Sequence, residues 1–326
     1  MNIKRIAIVS TLLAAVAACC GVYALLRQGC SIPATTQVHA PANSVYYWRT
    51  VYDPSPTELD FLKTHNVKRV YMRMFDVVDN NSQAVPDATI AFAQPVPDGV
   101  EIVPAVFVTV EAMKRAATQQ DIDSLATGIV ERVRRICLRN KVTNWPEVQL
   151  DCDWTATTRD GFYALCRAVK QRLPEGKLLS STIRLHQLTQ EAPPVDYGVL
   201  MVYNTDDFSN PRVTNSILNE QTVETFVKRR LDYDLPLDIA LPIYQWNLVF
   251  SKSGQFRRIE KYAESYADDE EYRFESVPYA TLQRTQEILA KYLDMTPGNH
   301  STILYHLDPN NINNYSHEQI EDIYNH

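Results

Sequence analysis

Eight short β-rich segments alternate with longer segments of helical periodicity, and this alternation constrains the fold more than any other feature of the sequence. The β-rich segments contain five to nine residues each and are rich in β-branched and aromatic side chains, as buried parallel strands are. We predict strands at Val45–Thr50, Val70–Phe75, Val100–Val108, Val148–Asp153, Leu178–Arg184, Val199–Tyr203, Ile239–Tyr244 and Thr302–Leu307.

The intervening segments show helix-start signals and apolar stripes. Ser55, Pro56 and Glu58 form a typical helix start, and Ile122, with later apolar residues at helical spacing, begins a long amphipathic stretch. Strands that alternate with helices pair in parallel through right-handed crossovers. Eight such units fit a closed barrel better than an open doubly wound sheet. We therefore predict an α/β protein with one (β/α)8 TIM barrel over residues 45–326.

The N-terminal segment has the features of an export signal. Lys4 and Arg5 precede an apolar run over Ile6–Leu26, and a basic start followed by such a run is typical of exported proteins. Val16–Cys19 is similar to a bacterial lipobox, which predicts lipidation of Cys19. The apolar run of about 21 residues is also long enough to span a bilayer without cleavage.

Both interpretations of the N-terminus give the same domain organisation. Residues 1–30 form a signal peptide or membrane anchor, residues 31–44 form a linker with several prolines and alanines, and the barrel follows. We therefore expect an exported, membrane-anchored protein whose barrel lies outside the cytoplasm.

The charge balance and the cysteine pattern argue against nucleic-acid binding, a disulfide framework and a zinc site. The chain has 32 Lys and Arg residues and 39 Asp and Glu residues, a formal net charge of -7, without a basic run, so nucleic acid is not an expected partner. Cys137, Cys152 and Cys166 show no disulfide or zinc-ligand pattern and are expected to be buried thiols. We see no paired histidines at ligand spacing and predict neither a metal nor a cofactor.

The fourth predicted strand carries two carboxylates near its end. Side chains alternate along a strand, so Gln149, Asp151 and Asp153 share one face, opposite a face that must pack against helices. Two carboxylates that point into the barrel this close in sequence repel each other, and the repulsion should raise the pKa of one of them. The alternative is that a barrel arginine, Arg73 or Arg184, neutralises an aspartate.

Four short segments together resemble the family 18 glycoside hydrolases. Asp151–Thr155 is similar to the core of the family motif D-x-x-D-x-D-x-E, and Met201–Asn204 is similar to the motif M-x-Y-[DN] on the sixth strand. Leu241–Tyr244 and Tyr305–Asp308 resemble the segments that end the seventh and eighth strands. The resemblance implies a barrel that cleaves β-1,4-linked N-acetylglucosamine polymers or N-glycan cores, with the substrate's acetamido group as nucleophile.

The resemblance also implies roles for individual residues, with one departure. Asp153 corresponds to the aspartate that orients the acetamido group, and Tyr203 to the tyrosine that binds it. Thr155 stands where the family has its acid glutamate, and a hydroxyl cannot protonate a glycosidic oxygen at neutral pH. Val148 replaces the first aspartate of the motif, and Tyr305 replaces a tryptophan.

Two functional hypotheses remain open. The chain is a glycoside hydrolase on extracytoplasmic glycans whose acid comes from another residue, or it is a non-catalytic carbohydrate-binding pseudo-enzyme. The candidate acids are Asp153, Asp76, Asp206, Asp308 and His306, each of which is alternatively a loop cap or a salt-bridge partner.

Aromatic and polar side chains near the predicted strand ends suit a sugar, whose apolar faces stack on rings while its hydroxyls bind polar groups. The alternative for the aromatic residues is that half of them fill the core. We assign catalytic roles to Asp151, Asp153 and Tyr203. We assign substrate contacts to Trp48, Arg73, Asp76, Asn204, Asp206, Tyr244, Trp246, Tyr305 and Asp308. The charged stretch Asn247–Ser276 is predicted to be a lid or a solvated loop.

Overall fold

Eight parallel strands close into a barrel in the computed structural model, which describes residues 39–230, 233–260 and 267–326. The first barrel strand pairs with both the last and the second, Ser44 with Ile303 on one side and with Arg69 on the other. In chain order the barrel strands are β1 (Ser44–Tyr47), β2 (Arg69–Asp79), β3 (Glu101–Val108), β4 (Glu147–Asp151), β5 (Leu178–Arg184), β6 (Tyr197–Met201), β7 (Leu237–Pro242) and β8 (Thr302–Tyr305).

The predicted (β/α)8 fold is confirmed, with all eight strands in the predicted order. Boundaries differ at some ends: β2 continues to Asp79, four residues beyond its predicted end at Phe75, and β4 ends at Asp151 rather than Asp153. The predicted signal or anchor over residues 1–30, with Cys19, lies outside the described residues. Among the helices that the structure describes, none is long and apolar enough to cross a membrane.

Helices follow most of the strands, and the first of them begins at the predicted cap, Ser55. The Ser55 hydroxyl accepts from the Glu58 backbone at 3.3 Å, and the Glu58 carboxylate accepts from the Ser55 backbone at 2.8 Å, which satisfies two donors at the helix start. The helices are α1 (Pro56–Thr64), α2 (Val110–Arg115), α3 (Gln119–Arg139), α4 (Arg159–Arg172), α5 (Glu220–Lys228), α6 (Tyr279–Leu293), α7 (Pro309–Ile312) and α8 (His317–Asn325).

The outward face of β4 packs against this helical layer as the alternation predicts. Val148, Leu150, Cys152 and Trp154 are all fully buried. The Trp154 ring meets the Tyr163 ring of α4 edge-on at 5.5 Å. The three cysteines of the barrel are free and buried, as expected.

The segment after β7 corrects one of two alternatives. The loop is wrong, because Trp246–Ser251, Phe256–Glu260 and Glu270–Glu275 form a three-stranded antiparallel sheet, while the lid stays a prediction. Its charged residues pair across the strands, for example Arg258 with Glu270. The partners on different strands are distant in sequence, so the sequence of this segment shows no strand periodicity. Its clustered charges alone predict a solvated loop.

Two glycines should respond in opposite ways to substitution by alanine. A Cβ on Gly198 of β6 would lie 2.7 Å from Ile183 and 2.9 Å from Leu237, whereas a Cβ on Gly128 in α3 meets nothing within 4 Å. Gly198→Ala should therefore lower the free energy of unfolding by about 1–3 kcal/mol through overpacking. Gly128→Ala should raise it by about 1 kcal/mol, because alanine favours a helix. Urea denaturation of both variants checks this, and equal effects would contradict the packing around β6.

Candidate active site

A pocket of about 390 Å³ opens at the carboxyl ends of β5 and β6, beside the end of β4. In a (β/α)8 barrel this end of the strands is where functional sites lie. The pocket brings together Asp153, Tyr203 and Asn204, three of the residues that the sequence predicts for the site. Its remaining lining residues are Arg184, Leu185, His186, Met201, Thr205 and Phe226.

Arg184 is the central cation of this site. Its Nε donates to the Asp153 carboxylate in a close ion pair, and its Nη2 lies 4.0 Å from Asp151. The Asp153 side chain keeps 51% of its surface exposed, whereas that of Asp151 keeps 5%. The predicted alternative, neutralisation of an aspartate by a barrel arginine, is thus what the structure shows for Arg184 and Asp153.

Asp151 lies at the base of the mouth, where its pKa is raised above the ordinary value for an aspartate. Burial is the largest cause that raises the pKa of Asp151, and the nearby Asp153 raises it further. Arg184 and a hydrogen bond from the Thr182 hydroxyl, at 2.7 Å, act in the opposite direction without reversing the rise in this pKa. The prediction of one raised carboxyl pKa is confirmed, although desolvation contributes more than repulsion between the carboxylates.

Arg73 and Asp76 form a second ion pair, on β2. The pairing of β2 with β3 shifts between Arg73 and Phe75, so one extra residue interrupts the alternation. Such a bulge lets side chains three residues apart on a strand reach the same side. Arg73 therefore binds Asp76 rather than Asp151 or Asp153, and strict alternation would have separated the two residues.

A group of aromatic rings extends from Tyr203, which lines the pocket, to four predicted residues that do not line it, namely Trp48, Tyr244, Trp246 and Tyr305. The rings of Tyr203 and Tyr305 lie 4.7 Å apart at an interplanar angle of 31°, and Trp48 lies 6.1 Å from Tyr305. Tyr244 meets Tyr203 edge-on at 6.1 Å and Trp246 at 5.3 Å. Trp48, Trp246 and Tyr305 are only partly buried, so this set combines core packing with rings that remain accessible.

Hydrogen bonds fix the polar partners of this aromatic set. The Tyr244 hydroxyl donates to the Asn204 side chain at 2.6 Å. The Trp246 indole N–H donates to Glu275 at 2.9 Å. Asn204 is exposed and has a left-handed backbone with φ of 52°, a conformation that asparagine tolerates better than most residues. The site therefore offers a positioned amide next to Tyr203.

Two predicted substrate residues instead serve the local backbone or a neighbouring helix. Asp308 is buried and caps α7, accepting from the Asn310 backbone at 3.0 Å. Asp206 accepts from the Thr222 hydroxyl of α5 at 3.2 Å. Both contacts match the cap or loop alternative that we kept open for these aspartates.

Thr155, which the motif resemblance pairs with the family's acid, contributes to a local threonine cluster. Its hydroxyl lies 3.0 Å from the Thr157 hydroxyl, and its backbone N–H donates to the Thr158 hydroxyl at 3.0 Å. These contacts order the turn that leads into α4.

His186 and Phe226 also line the pocket, although the sequence did not predict them there. His186 follows β5 by two residues, so its place after a strand end was the available signal. Phe226 belongs to α5, and the apolar stripe of a helix does not show which of its residues reach a pocket.

Comparisons with known proteins agree in fold only. No protein-family model matches the chain, and no curated protein matches it. Among solved structures, the spore cortex-lytic enzyme SleL of Bacillus cereus superposes with a TM-score of 0.55 at 12% identity, over 87% of this chain and 75% of that chain. A chitinase from Bacteroides thetaiotaomicron gives 0.56 at 9% identity, over 87% and 97%.

A third solved structure carries the family designation. The GH18 chitinase ChiB from the chitin utilization locus of Flavobacterium johnsoniae gives a TM-score of 0.50 at 11% identity, over 87% of this chain and 95% of that chain. The chain therefore shares the (β/α)8 fold with these enzymes. The predicted resemblance to the family 18 glycoside hydrolases is confirmed at the level of the fold.

The buried carboxyl of Asp151 predicts a specific pH dependence of stability. Since its pKa is raised above the value of 3.8 in the unfolded chain, its favourable contribution is complete below that pH and is lost as pH rises through the folded-state pKa. Asp151→Asn keeps an acceptor for Thr182 but cannot ionise. The free energy of unfolding of the unaltered chain should therefore fall relative to that of the variant as pH rises above the unfolded-state pKa of 3.8. Urea denaturation over a series of pH values measures the difference, and a difference that stays constant or rises with pH would refute the assignment.

Proposed function

We propose that this barrel is a glycan-binding domain that has the fold of the family 18 glycoside hydrolases without their acid residue. The observation that carries the proposal is the pocket that unites Asp153, Tyr203 and Asn204 at the carboxyl ends of the strands. Its volume of about 390 Å³ falls in the range of small-molecule sites. The three residues belong to the motif segments that resemble the family.

The chemistry of the mouth suits a sugar ring. Partly buried rings of Trp48, Trp246 and Tyr305 offer apolar faces for sugar C–H groups. Asp153, half exposed, and Asn204, exposed, offer acceptors and donors for hydroxyl or acetamido groups. An N-acetylglucosamine-containing oligosaccharide matches both kinds of surface and is the ligand class that we propose.

The charges of the mouth favour binding over cleavage. The residue at the acid position is Thr155, a neutral hydroxyl engaged with its neighbours. Asp153 is paired with Arg184, and Asp76 is paired with Arg73. Both carboxylates therefore already accept hydrogen bonds from arginines.

Hydrolysis remains the second candidate function because of Asp151. Burial favours its protonated form, and a protonated carboxyl is what a general acid requires. For Asp151 to reach a glycosidic oxygen, Arg184 would have to move aside, since it stands between Asp151 and Asp153 in electrostatic contact with both.

Binding and cleavage are separated by one titration series on the full chain with N-acetylglucosamine oligomers. We expect saturable binding by calorimetry without release of reducing ends. Asp153→Asn and Asn204→Ala should each weaken binding by about tenfold or more, because each removes a polar contact. Asp98→Asn is the matched control, since Asp98 is an exposed aspartate before β3, at the opposite end of the barrel.

The outcomes distinguish the two candidate functions. Release of reducing ends that disappears in Asp151→Asn would establish hydrolysis with Asp151 as proton donor. Loss of binding in Asp98→Asn as well, or no binding by the unaltered chain, would contradict the proposed site.

We also propose that the barrel is exported and tethered to a membrane, through lipid on Cys19 or through an uncleaved anchor. The basic start and the apolar run Ile6–Leu26 support this proposal. In a bacterial host, Cys19→Ser should abolish incorporation of labelled fatty acid if the lipobox is used. Membrane association without any fatty acid label, in both proteins, would instead identify the uncleaved anchor. A barrel recovered in the cytoplasm would contradict export.

A further inference from the structure

Two histidines and a glutamate converge far from the sugar pocket, where the end of α1 meets the start of α8. His65 caps the carboxyl end of α1, and His317 and Glu321 lie one turn apart on α8. One potential ligand atom from each of the three residues lies within 4.8 Å of the other two. No sequence pattern indicates this group, because His65 and Glu321 are 256 residues apart in the chain.

Of the three potential metal ligands, His65 is held in place, and His317 and Glu321 can change their side-chain conformations. The His65 side chain is only 7% exposed and its ring stacks near Phe61 at 4.6 Å, while its backbone carbonyl accepts from Asn43 at 2.9 Å. His317 is exposed, and the Glu321 side chain keeps 37% exposure. The two residues on α8 can therefore rotate toward His65 without disturbing the core.

The three potential ligand atoms lie close enough together for small shifts to bring them to one ion. Nδ1 of His65 lies 2.6 Å from a Glu321 oxygen, a hydrogen-bond distance, and the centroids of the His65 and His317 rings lie 4.8 Å apart. Ligand atoms around tetrahedral zinc are separated by about 3.3 Å, given bond lengths of about 2.0–2.1 Å. A slight withdrawal of Glu321 and a slight approach of His317 would meet this spacing.

We infer that His65, His317 and Glu321 form a binding site for a divalent transition-metal ion, with zinc as the best match. Two imidazoles and one carboxylate are a donor set that zinc accepts, with water in the fourth position. The ion takes the lone pair of an unprotonated ring nitrogen from each imidazole, so the hydrogen bond between His65 and Glu321 is given up when it binds.

The position of the site indicates what bound zinc would do. α1 is the first helix after β1, and α8 is the last element of the described chain. An ion held by both helices cross-links the two ends of the barrel sequence, next to the closure between β1 and β8. Such a link stabilises the folded state because only the folded chain brings the three ligands together.

Calorimetric titration of the full chain with zinc chloride tests the inference. The protein is prepared without a histidine tag and stripped with a chelator. We expect one equivalent of zinc to bind, and at a hundredfold excess over Kd the Tm should rise by about 5 °C. His317→Ala and Glu321→Gln, both at accessible positions, should each weaken binding by roughly a hundredfold or more.

His186→Ala serves as the matched control, because His186 is an exposed histidine on the pocket side of the barrel. It should bind zinc as the unaltered chain does. Circular dichroism confirms that each variant is folded before titration. Absence of saturable binding, binding that survives both α8 substitutions, or binding that is lost in His186→Ala would each overturn the inference.

Discussion

The inward row of β4 is the constraint on which the rest of this barrel depends. Glu147, Gln149 and Asp151 point into a closed interior where water cannot satisfy them, and all three are buried. Each finds its partner on another strand: Gln149 accepts from Tyr46 of β1 at 2.8 Å, and Glu147 accepts from Ser180 of β5 at 2.6 Å. Because unpaired buried polar groups are costly, this row ties strands on opposite sides of the barrel into one register.

The same row explains why the functional chemistry lies at one end. Further along the row toward the strand end, Asp151 is still buried, and Asp153, just beyond the strand, reaches solvent. Arg184, at the end of β5, is the cation that links the two. Burial lowers the pKa of Arg184, but the nearby Asp151, Tyr203 and Asp153 together raise this pKa by more. Arg184 therefore stays charged. The mouth therefore contains a buried carboxyl with a raised pKa, Asp151, and an exposed carboxylate held by Arg184, Asp153. The two differ because Asp151 lies deeper in the barrel than Asp153.

Most of the barrel could be predicted from the sequence, since strand alternation and helix caps are local signals. The inward placement of Asp151 and the outward placement of Trp154 followed from period two alone. Other features required the folded chain. The Arg73–Asp76 pair depends on a bulge in β2 that the sequence does not mark. The sheet over Asn247–Ser276 and the group around His65 depend on partners that are far apart in sequence, for which local periodicity holds no information.

A crystal structure of the full chain with an N-acetylglucosamine oligomer would test the central claim most directly, namely that the mouth of the barrel holds a glycan next to the Arg184 ion pair. The account predicts a sugar ring against the aromatic set of Tyr203 and Tyr305, with its polar groups bound by Asp153 and Asn204. A sugar bound on another face of the barrel, or one that leaves this pocket empty, would contradict the account.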